Sequence, residues 1–403
     1  MELTRRSFLH TSAAALARPS VNADPLPPDL AAAIEKIEPY FTAPADFKDV
    51  SRGKPVPHSL PEDKRIEVGL TRETWKLEVI ADPDNPATLG KQFTMKNDTA
   101  FTFSDLLKLG ESKSVRFAKV MTCLNIGCPL GMGNFEGVPL RDVVWLTKPK
   151  ENLRRVHYFG YHNDDPPQMF RSSLSIGRVL EDPDGLPPVI LCYKLNGRWL
   201  DPKRGAPVRI VVPEAYGFKS VKWLTHLFLS NNPYSNDTYA TQNNDVDSPL
   251  KTFAATLSVP DGKANAPIPI TGYAQVGISG LSKVQVWASP AAKEWPTDDP
   301  YFTTAPWLDA HILPPPKAWG GNFPDPGIFK ETIGFDANTG APKTWPMRLA
   351  KAHWAALLPG LPAGEYMLRS RTIDANGIAQ PMPRPFKKSG RCDIEAVKLT
   401  VKA

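Results

Sequence analysis

The sequence predicts an α+β domain followed by an all-β sandwich. Three observations carry this. Up to about residue 250, short helical patterns alternate with strands. Beyond that point only short alternating strands recur, as in a β-sandwich. Between Ser248 and Pro269 the composition shifts to Ser, Thr, Pro and Lys, marking the junction. The 403 residues, 41% of them apolar, are enough for two cores.

The elements follow in chain order. Thr4-Arg5-Arg6-Ser7-Phe8-Leu9, a weakly apolar stretch to Ala17 and the small residues Val21 and Ala23 resemble a twin-arginine export signal, so residues 1–23 are taken as a leader and the mature protein is expected in the periplasm. Residues 24–61 form a Pro-rich arm with one short helical pattern from Leu30 to Ile37. Residues 62–250 make the first domain. It has an alternating strand from Trp75, a helix through Leu106, Leu107 and Leu109, and strands over Arg116–Thr122, Arg155–Tyr161, Val189–Tyr193, Val208–Val212 and Thr225–Ser230. Residues 251–403 make the second domain, with strands from Ile268, Val284, Gly364 and Val397. The Pro- and Gly-rich stretch from about Pro290 to Lys343 is too long for a hairpin loop and is expected to lie on the surface as an insertion.

Composition excludes several functions. Lys and Arg exceed Asp and Glu by 48 to 42, a net charge of +6 without any basic block, which argues against nucleic acid as a partner. No apolar run approaches the roughly 18 residues needed to span a bilayer. The four cysteines, Cys123, Cys128, Cys192 and Cys392, are in no CxxC register, so neither a zinc ribbon nor a c-type haem is predicted on this chain.

Cys123 ends the apolar strand Val120-Met121-Thr122 and opens into a Gly-rich loop, a setting with the access and backbone freedom that a metal-ligating thiolate requires. Alone it reads more readily as a small buried residue before a turn. The following run, Asn134-Phe135-Glu136-Gly137-Val138-Pro139-Leu140-Arg141-Asp142-Val143-Val144, decides the context. With Cys192-Tyr193-Lys194-Leu195-Asn196-Gly197, Gly205-Ala206-Pro207-Val208-Arg209-Ile210-Val211-Val212-Pro213 and Ser220-Val221-Lys222-Trp223-Leu224, it resembles the sulfite oxidase superfamily of molybdopterin-dependent oxidoreductases. Thr271-Gly272-Tyr273-Ala274 and the run from Asp374 to Pro381 resemble that family's immunoglobulin-like dimerisation domain.

The resemblance implies a mononuclear molybdenum held by one pyranopterin dithiolene and by Cys123, soft sulfur donors that suit the metal. It implies that Arg209, Lys222, Arg204 and the backbone of Ser220 and Val221 hold the pterin and its phosphate, and that Arg52 and Arg391 meet a substrate anion. An acidic residue after the Phe-x-Gly strand should also touch the pterin. Asn163, Asp164 and Asp165 compete for this place, and Asp164 is taken.

Departures from the family pattern are as informative. Lys203-Arg204-Gly205 stands where the family has Asp-His-Gly, and Arg52-Gly53-Lys54 where it has Arg-Asn-His. The family's catalytic Tyr has no clear counterpart, and Tyr239, Asn243 or Asn244 takes its place, with Tyr239 the candidate. Cys128 has no family counterpart and reads as a packing residue, a second thiol near the metal or a redox-sensitive group.

The expected reaction is oxygen-atom transfer, such as sulfite-dehydrogenase-like oxidation of a small sulfur oxyanion, with electrons passed to a separate carrier such as a cytochrome c. The alternatives are reduction of sulfoxides or other oxo compounds, and a non-catalytic exported binding module. A homodimer is implied by the resemblance.

Overall fold

A computed structural model describes residues 27–240, 244–247, 249–381, 383 and 389–403. The leader and Asn243 lie outside these residues. The arm carries α1 (Pro28–Ile34), and α2 (Glu62–Glu67) follows it at the start of the first domain. There follow β1 (Lys76–Ala81), β2 (Phe101–Thr102), α3 (Phe103–Lys113), β3 (Val115–Thr122), β4 (Pro129–Pro139), α4 (Leu140–Trp145), β5 (Arg155–Gly160), β6 (Arg171–Ser175), α5 (Ile176–Leu180), β7 (Ile190–Leu195), β8 (Arg198–Trp199), β9 (Arg209–Val211) and β10 (Leu224–Ser230). The helix start at α3 is fixed locally: the Thr102 hydroxyl accepts from the Asp105 amide while the Asp105 carboxylate accepts from the Thr102 amide.

These strands make two sheets, β2-β1-β10-β5-β6 and β3-β4-β7-β8, with β9 paired to β7. Because β1 and β10 pair in parallel, the chain between them must cross over, and the second sheet with its helices is that crossover. The two sheets share a core in which Leu77, Val79, Val120, Val138, Leu191, Val208, Leu224 and Leu227 are all buried.

The second half comprises β11 (Phe253–Ser258), β12 (Gly262–Lys263), β13 (Ile268–Gln275), β14 (Lys283–Pro290), β15 (Leu308–Ile312), β16 (Lys351–Leu358), β17 (Gly364–Ile373) and β18 (Glu395–Lys402). Strand β15 pairs with β14 on one side and with β16 on the other, so it joins the layers β11-β13-β16 and β14-β17-β18-β12. Between the layers lie Ile268, Ile270, Val284, Val286, Trp354, Leu368 and Leu399. The alternation of β17, with Tyr366, Leu368, Ser370 and Thr372 inward, is that of a half-buried strand.

The stretch from about Pro290 to Lys343 is more than a surface insertion. It contains β15, and its Ile328, Phe329 and Phe335 are buried with Tyr40 and Phe41 of the arm and with Ala118 and Met132 of β3 and β4, while Trp319 and Phe323 pack against them. So many aromatic side chains require a partner surface, and they find it across both halves of the molecule.

Candidate active site

Cys123 is delivered by β3. The three residues before it are buried, and the chain then turns so that the Gly127 amide donates to the Cys123 carbonyl at 3.2 Å. Gly127 has φ +59, in the left-handed region, which lets this turn close. Half-buried Cys123 faces a cavity of about 300 Å³.

The far wall is the segment from Gly205 to Trp223. Gly205, with φ +97, lies against Lys222: a Cβ there would stand 2.8 Å from the Lys222 Cβ, so only glycine permits this approach. Arg204 donates to the Lys48 carbonyl at 3.1 Å and the Phe47 carbonyl at 2.7 Å, tying the arm over the cavity. Arg209 donates to the carbonyls of Arg204 at 3.2 Å and Ser220 at 2.5 Å. Each arginine keeps a buried Nε without a hydrogen-bond partner among the described residues. Lys222 reaches Asp49 at 2.8 Å and the Ser51 hydroxyl at 2.9 Å. Burial pushes the Arg209 guanidinium down to about 10, and burial, with Arg209 nearby, pushes Lys222 down to about 8. Ser220 spends its own amide on the Gly217 carbonyl at 3.0 Å, and its hydroxyl accepts from the Val212 amide.

Arg52, Phe170 and Tyr239 form another side of the cavity. The Arg52 guanidinium stands 5.0 Å over the Phe170 ring, and Tyr239 meets Phe170 and Phe218 edge-on. Asn125, two residues after Cys123, donates to the Tyr239 Oη at 3.0 Å. The Tyr239 segment is anchored two residues earlier. Buried Asp237 accepts from Lys219 at 2.6 Å, Ser172 at 2.8 Å, Ser173 and Ser235. Burial would raise the Asp237 carboxyl, but Lys219 and the hydroxyls outweigh it and hold the group below its ordinary value.

Eight predicted residues therefore line one cavity: Cys123, Arg52, Tyr239, Arg204, Arg209, Ser220, Val221 and Lys222. Two do not. Asp164 is exposed at a turn with φ 51, and the residue of its segment that lines the cavity is His162, whose Nδ1 lies 2.7 Å from the Gly160 carbonyl. Arg391 lies with its stem across Gly127 and its guanidinium 3.2 Å from Glu395. Lys54 is also exposed and outside the cavity wall, and Asn244 supports the Tyr239 carbonyl from 3.2 Å. Sequence reasoning missed His162, Asn125 and Lys48, all of which line the cavity. Buried Cys192, its thiol pushed up to about 12 by burial, is a packing residue.

Five cations, Lys48, Arg52, Arg204, Arg209 and Lys222, line the cavity, and among the described residues no carboxylate does. A wall of this kind favours an anion. The unpartnered Arg204 and Arg209 Nε atoms and the thiol of Cys123 fit a phosphate-bearing group joined to a thiophilic metal. The family model of the oxidoreductase molybdopterin binding domain matches residues 66–239, the stretch that builds most of this wall. Residues 66–239 of this chain are an oxidoreductase molybdopterin binding domain. It is 27% identical over 218 residues to a nitrate reductase [NADPH] of Beauveria bassiana, covering 53% of this chain but 22% of that protein. It is 32% identical over 113 residues to a nitrate reductase [NADH] of Ulva prolifera, 27% of this chain and 13% of the relative. The chain thus aligns with about a fifth or less of these relatives' length. The sulfane dehydrogenase SoxCD of Paracoccus pantotrophus shares the fold at a TM-score of 0.55 and 17% identity, over 82% of this chain and 77% of that one.

Proposed function

We propose that this oxidoreductase oxidises a small sulfur oxyanion, sulfite or a close analogue, to the product carrying one more oxygen. The balance is one water consumed and two protons and two electrons released, the electrons leaving to a separate carrier such as a cytochrome c. The observation that carries this reading is the cavity itself, in which Cys123 shares one space with five cations and, among the described residues, no carboxylate.

In this reading Cys123 is the protein ligand of molybdenum, and Arg204, Arg209 and Lys222 hold the pterin phosphate. When bound, the molybdenum and its pterin supply the two-electron oxygen-atom-transfer chemistry. The chain does the rest. Arg52 binds the substrate oxyanion, and its stacking on Phe170 fixes the direction from which the charge is offered. Tyr239, held by Asn125, presents a hydroxyl beside the thiolate loop. The apolar lining of Phe47, Leu130, Phe135 and Trp223 keeps water low, so these charges act in a low-dielectric space. The Arg5-Arg6 leader supports cofactor loading in the cytoplasm before export to the periplasm, and the second domain is proposed to dimerise.

The similarity to nitrate reductases favours a second reading, reduction of an oxo-anion at the same site. Elemental analysis of wild type and Cys123→Ser, followed by turnover assays in both directions, tests both. Near-stoichiometric molybdenum in wild type, lost in the variant, with sulfite-dependent reduction of a cytochrome c, is the expected result. Nitrate reduction with no sulfite oxidation would replace the first reading by the second, and wild type without molybdenum would sink both.

A further inference from the structure

The thiolate loop is gripped from the second half of the chain. Thr122 and Gln275 are each 0% exposed, and the Thr122 hydroxyl donates to the Gln275 Oε1 at 2.5 Å. The Gln275 Nε2 donates in turn to the Lys251 carbonyl at 2.7 Å, which fixes which end of the amide faces Thr122. Just before this point the Val120 amide donates to the Leu349 carbonyl at 2.7 Å, and the Leu349 amide donates to the carbonyl of Val276, the residue after Gln275. The opposite wall leans on the same residue: a Cβ at Gly217 would lie 3.3 Å from the Thr122 carbonyl. At the far end of the loop the Arg391 stem crosses Gly127, where an added Cβ would meet the Arg391 Cβ at 2.9 Å.

We propose that Gln275, acting through Thr122, is a positioning residue for Cys123. The inference rests on the reading of Cys123 as the molybdenum ligand. A buried hydroxyl with one acceptor has one low-energy rotamer, and that rotamer holds the backbone from which the next residue, the thiol, projects. Metal sites are sensitive to such support, since ligand orientation is set by groups that never touch the metal. The second domain therefore completes the active site without lining it.

The test uses the full chain with Thr122→Val, Gln275→Leu, the double variant and Thr122→Ser. In the double variant two apolar side chains face each other and only the Lys251 carbonyl loses its Gln275 donor, whereas Gln275→Leu alone also strands the Thr122 hydroxyl, so the double variant regains thermal stability relative to Gln275→Leu. Two readouts follow Cys123. In cofactor-free protein, iodoacetamide alkylation of Cys123, followed by peptide mass spectrometry, should rise about fivefold in the single and double variants, the factor for one lost hydrogen bond of about 1 kcal/mol. In loaded protein, the Mo(V) paramagnetic resonance signal should shift in the same variants and stay at its wild-type position in Thr122→Ser. A double variant that regains wild-type alkylation and signal along with its stability would show a merely structural pair and overturn the proposal. Loaded variants with an unchanged signal would overturn it too. Wild type lacking molybdenum would instead remove the ligand reading beneath it, a failure told apart by the metal content.

Discussion

Lys222 and Asp237 show how single buried charges govern this site in opposite senses. Lys222 is held by burial at about 8, below the ordinary lysine value, so it is charged at neutral pH and loses its proton as pH rises through about 8. Inorganic phosphate bound to the cofactor-free protein should therefore weaken by about fivefold from pH 8 to 9, the protonated fraction of Lys222 falling from about a half to about a tenth, an effect titration calorimetry reads directly. A Lys222→Met variant should bind weakly and show no such slope. Asp237 is the depressed-carboxylate case: its contribution to stability is present above the ordinary carboxylate range and lost as pH falls through its lowered value. Asp237→Asn leaves the Lys219 ammonium buried opposite a neutral amide, and should cost about 3–5 kcal/mol in denaturant unfolding. Cys123, Arg209 and Lys222 were legible in the sequence because each sits in a long run whose residue types agree at many positions. His162 was not. Three polar residues follow it, and only the three-dimensional turn after β5, with the imidazole at the Gly160 carbonyl, shows which of them faces inward.

At the scale of elements, strands with apolar alternation were placed to within about two residues, as for β3, β5, β7, β9 and β10. The segment after β14 was misjudged for a physical reason. Its Pro and Gly content is that of a loop, and its aromatic residues follow neither a helical nor a strand period, because they fill gaps between elements distant in sequence. Strand β15 has only five residues and is exposed or half-buried along its length, so no pattern announces it. The buried Phe329 makes the role of this segment testable: Phe329→Ala should destabilise the protein by about 3–5 kcal/mol, measured by chemical denaturation. A loss below about 0.5 kcal/mol, typical of surface positions, would restore the surface-insertion description.

For the molecule as a whole, one aromatic cluster takes residues from the arm, from β3 and β4 and from the stretch between β14 and β16. Thr122–Gln275 adds a buried polar link between the halves. Calorimetry should therefore show one cooperative transition whose van't Hoff and calorimetric enthalpies agree, and two separated peaks would mean that the halves unfold independently. The passage from mixed helices and strands to strands alone was legible in the change of pattern near residue 250, whereas the aromatic cluster that joins the two halves was not, since composition carries no information on long-range contact. The cation-lined cavity has a last consequence. Like charges confined together weaken the empty fold, and an anion that neutralises them is a folding ligand whose binding energy adds to stability. Empty and filled molecules then melt at different temperatures, so heat resistance becomes a gauge of assembly, by which incomplete molecules can be sorted from finished ones.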